Sequence, residues 1–232
     1  MCGRYSLSVD FVIVKNAFDD LHFDEGLETY YVKRYNIAPT QPVLAITHEH
    51  RYQLKPLRWG LIPSWNRDPK ATGFINARSE TLLEKPSFKN SARYRRCLIV
   101  ADGYFEWQKK EKQKIPYWIH SETSKCMTFA GLWETTVVSG GGEIDTCAII
   151  TTPATESLRE IHERMPAILT REEGKIWMDP SVTAAAEVRQ NLLPLLRPSG
   201  GLVLRQVSTA VNSVRNDSKE ILEPSEDQLN LF

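Results

Sequence analysis

Short apolar runs, rather than long amphipathic stretches, dominate the chain. Segments 42–48, 52–61, 97–102, 115–120, 126–134, 144–152, 165–169 and 202–207 are rich in β-branched and aromatic residues and bounded by Gly, Pro, Asn or Asp, which predicts strands. Helical spacing is scarcer. It predicts helices over 9–19 after Ser8, 77–84, 154–162, 171–178 and 182–193, with Thr170 and Glu173 set as a capping box for the fourth and Ser181 ahead of the fifth. Strands and helices do not alternate one for one. The expectation is therefore an α+β fold, a single domain with a largely antiparallel, barrel-like β core and peripheral helices, rather than a doubly wound parallel sheet. A length of 232 residues suits one such domain. Ser139-Gly140-Gly141-Gly142 has no lysine or helix start behind it, so it reads as a hairpin loop and not a phosphate cradle. The polar segment 223–232 is expected to fray.

Composition adds mainly exclusions. Apolar residues make up 41% and charged residues 25%, the balance of a folding chain rather than a disordered one. Lys plus Arg and Asp plus Glu both number 29, so a nucleic-acid site has to be a local patch and not a whole-molecule field. An apolar leader and an 18-residue apolar run are both missing, which gives the expectation of a cytoplasmic protein without membrane contact. The cysteines, at 2, 97, 126 and 147, form no C-x-x-C pair and have no zinc-ligand spacing, so no metal, disulfide or other cofactor is expected. Cys97, Cys126 and Cys147 sit in apolar, strand-like runs where cysteine packs as a small hydrophobe.

Cys2 differs. Methionine before a small residue is commonly removed, and its removal places an α-amine and a thiol on adjacent carbons. An α-amine has a pKa of about 7.7–8.0 against about 10.4 for lysine, so a useful fraction is neutral and nucleophilic at neutral pH. Such a 1,2-aminothiol condenses with an aldehyde to an imine, and the thiol then closes a thiazolidine ring.

Other candidates lie in three runs: Asn76-Ala77-Arg78-Ser79-Glu80-Thr81, Ala101-Asp102-Gly103-Tyr104-Phe105-Glu106-Trp107 and Ile161-His162-Glu163-Arg164-Met165-Pro166. Glu106 lies between two aromatics, so in a strand it points away from them; it is either an ordinary surface carboxylate or, on a pocket wall, a general acid/base of raised pKa. His162 reads either as a helix C-terminal histidine or as a catalytic one. Asn76 could equally be an N-cap. Basic and aromatic residues interleave from Lys85-Pro86-Ser87-Phe88-Lys89 to Arg93-Tyr94-Arg95-Arg96, a pattern that fits both a strand-tracking groove and a solvated loop. Arg4, Arg58, Trp59, Trp65 and Arg78 lie in or beside the chemical segments.

Together these runs resemble the SOS-response-associated peptidase family. The likeness starts at Met1-Cys2-Gly3-Arg4-Tyr5. It passes through Arg34-Tyr35-Asn36-Ile37-Ala38-Pro39-Thr40, Trp59-Gly60-Leu61-Ile62-Pro63, the Asn76 run, Gly103 to Trp107 and Ile161 to Pro166, and reaches Val207-Ser208 and Val211-Asn212. It implies an α+β fold around a barrel-like core and a protein of the DNA-damage response that bonds covalently to abasic sites in single-stranded DNA. Cys2 would form the bond after Met1 is lost by self-cleavage or to an aminopeptidase. Asn76 would hold its amine or the opened sugar, Glu106 would move protons, and His162 would stabilise the opened sugar. The resemblance also implies that Arg4 and Arg78 contact phosphates and that Pro39 and Trp65 stack on or wedge against bases. Some members carry two adjacent tryptophans where this chain has Trp65-Asn66. Two alternatives keep parts of the site: an N-terminal cysteine peptidase or amidase acting in trans, and a non-covalent reader of modified or single-stranded DNA. The expected assembly is a monomer, in the nucleoid if the chain is bacterial, with the replication machinery as a candidate partner.

Overall fold

The computed structural model describes residues 2–18, 20–66, 68, 71–111, 113–137 and 141–224. Among them the strands are β1 (Tyr5–Leu7), β2 (Arg34–Ile37), β3 (Pro42–His48), β4 (Tyr52–Trp59), β5 (Asn76–Arg78), β6 (Arg96–Ala101), β7 (Gly103–Lys110), β8 (Gln113–Ser121), β9 (Met127–Val137), β10 (Glu143–Pro153), β11 (Arg164–Pro166), β12 (Ile168–Leu169) and β13 (Leu202–Gln206). The helices are α1 (Phe11–Asn16), α2 (Glu25–Tyr30), α3 (Lys89–Tyr94), α4 (Glu156–Arg159), α5 (Arg171–Trp177) and α6 (Ala185–Glu187).

The expected α+β class and barrel-like core are both present. β3 pairs antiparallel with β4 and β6, β6 with β9, and β9 with β10; β10 then meets β4 in parallel and closes a ring of five strands. Closure removes the exposed edges of those strands. A second, antiparallel sheet runs in the order β13-β8-β7-β1-β2. Every residue of β6 is buried. α5 packs on it so closely that a Cβ on Gly174 would stand 2.6 Å from Leu98 Cδ1, so a larger residue there would force the Leu98 side chain to shift. The Thr170–Glu173 capping box opens α5 as expected.

Several elements differ from expectation. Residues 77–84 form no helix: Asn76–Arg78 is strand β5, paired in parallel with Ile149–Thr151, and a single 3₁₀ turn follows. Pairing with β10 satisfies the backbone here and overrides the local helical spacing. β1, β2, β7, α2 and α3 carry too little apolar periodicity to be visible in the sequence. The first helix starts at Phe11 rather than residue 9, because the Ser8 backbone N–H and hydroxyl both donate to Asp102. Ser181 bonds Asp179 instead of capping the last predicted helix, which begins at Ala185 and continues as a π-helical turn over Val188–Leu192. The predicted loop at 139–142 and the tail at 223–232 lie largely outside the described residues.

One cluster ties the chain's beginning to the rest. Asp102 accepts from Ser6 Oγ at 2.5 Å and from Ser8 N and Oγ at 2.6 Å each, while its own N–H donates to Ser6 O at 2.9 Å. Trp118 Nε1 donates to Ser6 Oγ at 2.9 Å. That indole lies directly over Gly103, where an added Cβ would meet Nε1 at 2.2 Å. β1 is thereby latched beside β7. Replacing Asp102 by Ala strands three donors in a buried setting and is expected to cost about 3 kcal/mol in urea unfolding. A loss below about 0.5 kcal/mol would show that the latch holds nothing.

Candidate active site

Latching β1 fixes Cys2 three residues before it. The Cys2 side chain has 0% exposure, its Sγ lying 3.9 Å from Arg4 O. Burial, reinforced by the negative charge of Glu106, pushes the thiol pKa well up, so at neutral pH the sulfur carries its proton. β5 approaches from the barrel side. Asn76 Nδ2 donates to Cys2 O at 3.0 Å and to Ile75 O at 2.8 Å, leaving Asn76 Oδ1 buried with no partner among the described residues. The side chain therefore works on the Cys2 backbone and caps no helix.

β7 supplies Glu106. It is 4% exposed, so it lies on a pocket wall and not in open solvent. Burial raises its carboxyl to about 7, against the opposing pull of the positive chain terminus. A carboxyl at that value exchanges protons readily near neutral pH. His162 follows α4. Its Nδ1 accepts from Arg164 N at 3.0 Å, which puts the proton of the neutral ring on Nε2. Burial first, then nearby positive charge including Lys109, lowers its pKa and keeps the ring neutral. Arg164 in turn pairs with Glu80 and donates to Thr151 O at 2.6 Å, joining the His162 segment to the turn after Asn76. That pairing holds the Glu80 carboxyl below its usual range.

A cleft of about 440 Å³ opens over this centre, lined by Arg4, Glu106, Trp107, Lys109, Lys114, His162 and Asn212. The Arg4 guanidinium donates to Asn36 Oδ1 at 2.7 Å and to Val211 O at 2.8 Å and lies 5.8 Å from the centre of the Trp107 ring. Asn36 is itself held by Val211, Ser213 and Asn216 carbonyls, and Trp107 Nε1 donates to Asn212 Oδ1 at 2.7 Å. The structure thus gathers Cys2, Asn76, Glu106, His162 and Arg4 at one place. Pro39, Trp65 and Arg78 line no part of this cleft; Trp65 is 64% exposed and Arg78 is also exposed. A larger cavity of about 750 Å³ lies elsewhere, bordered by Cys126, Thr128 and Thr170, and shares no residue with the cleft.

Two sequence candidates prove structural. Trp59 is fully buried, its Nε1 donating to Ile75 O at 2.9 Å, and its ring packs on Tyr5. Within the basic run, Arg96 is buried and donates to the carbonyls of Trp177, Ala92, Arg93 and Asp179, while Arg95 pairs with Glu134. Cys97 and Cys147 are buried as expected, and Cys126 is partly exposed. Trp107 and Asn212, which lie in the runs named above without an assigned role, and Lys109 and Lys114, which lie in none of them, also line the cleft. Only the register of the β7–β8 hairpin, which sets Lys109 opposite Lys114, could have revealed the two lysines.

Cys2, delivered by β1 and bonded through its carbonyl to Asn76, lies beside the acid Glu106 below a cleft lined by Arg4 and His162, all on a β-barrel scaffold. The sequence profile of the SOS response associated peptidase (SRAP) family matches residues 1–214. The chain belongs to that family. It is 40% identical over 227 residues to the abasic site processing protein YoaM of Bacillus subtilis, covering 96% of this chain and 98% of YoaM. It is 36% identical over 234 residues to the abasic site processing protein HMCES of Gallus gallus, covering 86% of this chain and 68% of that protein. A crystal structure of a Bacteroides thetaiotaomicron protein superposes with a TM-score of 0.84 at 27% identity, covering 97% of this chain and all of that one.

The raised pKa of Glu106 makes a stability prediction. Between pH 4.5, its ordinary value, and about 7, the folded state holds a proton that the unfolded state has released, so the group's contribution to stability falls as pH rises through that window. Glu106→Gln is therefore expected to gain stability relative to the unsubstituted protein between pH 4.5 and 8 in urea unfolding. A pH-independent difference would place Glu106 in a solvated setting.

Proposed function

We propose that this protein is a covalent shield of abasic sites in single-stranded DNA, with Cys2 as the bonding residue after Met1 is removed. The observation that carries the reading is the convergence of Cys2, Asn76 and Glu106 beneath a cleft walled by Arg4 and His162. The family's abasic site processing members agree with it.

The chemistry balances without a cofactor. The α-amine adds to the aldehyde carbon of the opened sugar, and loss of one water leaves an imine. The thiol sulfur then bonds to the same carbon while its proton ends on the nitrogen. The thiol is held protonated, so the amine adds first, and Glu106 relays the sulfur's proton to the nitrogen as the ring closes. Asn76 Oδ1, buried and unpartnered, is the acceptor for the freed α-amine. The neutral His162 ring donates from Nε2 to a sugar oxygen. Arg4, fixed through Nη1 by Asn36 and Val211, offers its guanidinium charge to a phosphate.

Incubating the processed protein with an abasic oligonucleotide is expected to give one adduct that survives denaturation and high salt, with an intact mass of the sum less one water. Cys2→Ala is expected to give none, and Glu106→Gln and His162→Ala to form it more slowly by on the order of 10²-fold. An undiminished adduct from Cys2→Ala would refute the assignment. Wholly reversible, salt-sensitive binding would favour a non-covalent reader.

A further inference from the structure

Lys109 and Lys114 are directly opposite one another across the β7–β8 hairpin. Like charges at such a position repel and destabilise a strand pair. Both side chains are exposed, and among the described residues neither has a carboxylate partner. They occur on the wall of the cleft that holds Glu106 and His162. A repelling pair kept at the mouth of a reactive cleft is the arrangement expected of a site completed by an anion.

The neighbours indicate which anion. Trp107 and Lys109 are two residues apart on β7 and share one face of the strand, separated along it by about 7 Å. Arg4 lies over the Trp107 ring, its guanidinium 5.8 Å from the ring centre. A line of cation, indole and paired cations thus leads from the Cys2 centre out along the hairpin. Cations alternating with a flat aromatic surface are how proteins track a single strand, phosphates on the cations and a base on the ring. Asn212 fixes the indole through Nε1, so the flat surface is already oriented. Both lysines line the same cleft as His162, and the charge of Lys109 adds to the causes that lower that ring's pKa.

We propose that Lys109 and Lys114 clamp a backbone phosphate of the DNA strand as it leaves the lesion cleft across Trp107. This rests on the DNA reading above and extends it to a specific exit path. The clamp acts on the phosphodiester and not on the abasic sugar, so it works equally on undamaged single strands.

Undamaged single-stranded oligonucleotide is the probe, with binding followed by fluorescence anisotropy across a salt series. Each phosphate contact contributes about 0.7 to the slope of log affinity against log salt for a single strand. Lys109→Gln/Lys114→Gln is expected to lower the slope by about 0.7, the share of the one phosphate the pair holds, and Lys109→Arg/Lys114→Arg to restore it. A double Gln variant with the original slope would overturn the clamp. Thermal melting of the same variant is the second measurement: relief of repulsion predicts a Tm no lower than before, and a marked drop would assign the lysines to hairpin structure instead. Adduct formation by the unsubstituted protein reports separately on the Cys2 chemistry. A salt slope that falls while no adduct forms would therefore keep the clamp and reject the covalent step.

Discussion

Burial of the chain's beginning is the constraint on which the site depends. β1 is threaded between β2 and β7, all three of its residues are buried, and Asp102 gathers donors from Ser6 and Ser8 to keep it there. Most chains leave their first residues loose at the surface. Here the terminal strand is part of a sheet, so a residue three positions before it inherits a fixed place. The Tyr5 ring packs edge-on against Trp59 and Phe129 of the barrel, which sets the depth to which the strand is driven.

From that anchoring the electrostatics follow. A site sealed enough to bury Cys2 also desolvates Glu106, and one physical cause raises both the thiol and the carboxyl. The thiol is thereby unreactive as a thiolate, while the carboxyl becomes a proton carrier near neutral pH. Such a pairing is what the proposed amine-first condensation would use. The same desolvation, aided by surrounding positive charge, keeps the His162 imidazole neutral and able to donate. Arg4 is the exception among the charged groups. Its guanidinium is oriented by neutral oxygens of Asn36 and Val211 rather than by a carboxylate, so its charge is left uncancelled for a ligand.

The cleft wall shows how short segments distant in sequence reach one place. Asn36 on β2 collects three carbonyls from residues 211–216, and Asp217 accepts from the backbone N–H groups of Tyr35 and Asn36 while pairing with Arg34. This polar seam brings Asn212 to Trp107 and Val211 to Arg4. None of its members is itself reactive. Together they decide where the aromatic and the cation stand.

Much of the chemistry was legible in the chain itself. An amine and a thiol on neighbouring carbons, once Met1 is removed as proposed, are a property of Cys2 that needs no fold, and the strings around Asn76, Glu106 and His162 mark the family without any geometry. The Thr170–Glu173 cap and most core strands could also be read, because caps and apolar runs are local signals. β1, β2 and β7 could not, since their residues are ordered by neighbours far along the chain and not by their own pattern. Asn76–Arg78 went further and looked helical until β10 offered it a ladder. Arg96 and Trp59 resembled ligand-binding groups, and only packing showed that they serve the interior. The sequence by itself determined which functional groups were available. Tertiary structure decided which of them meet, which are desolvated and which are spent on the fold, because proximity and burial arise from long-range pairing that no local window contains.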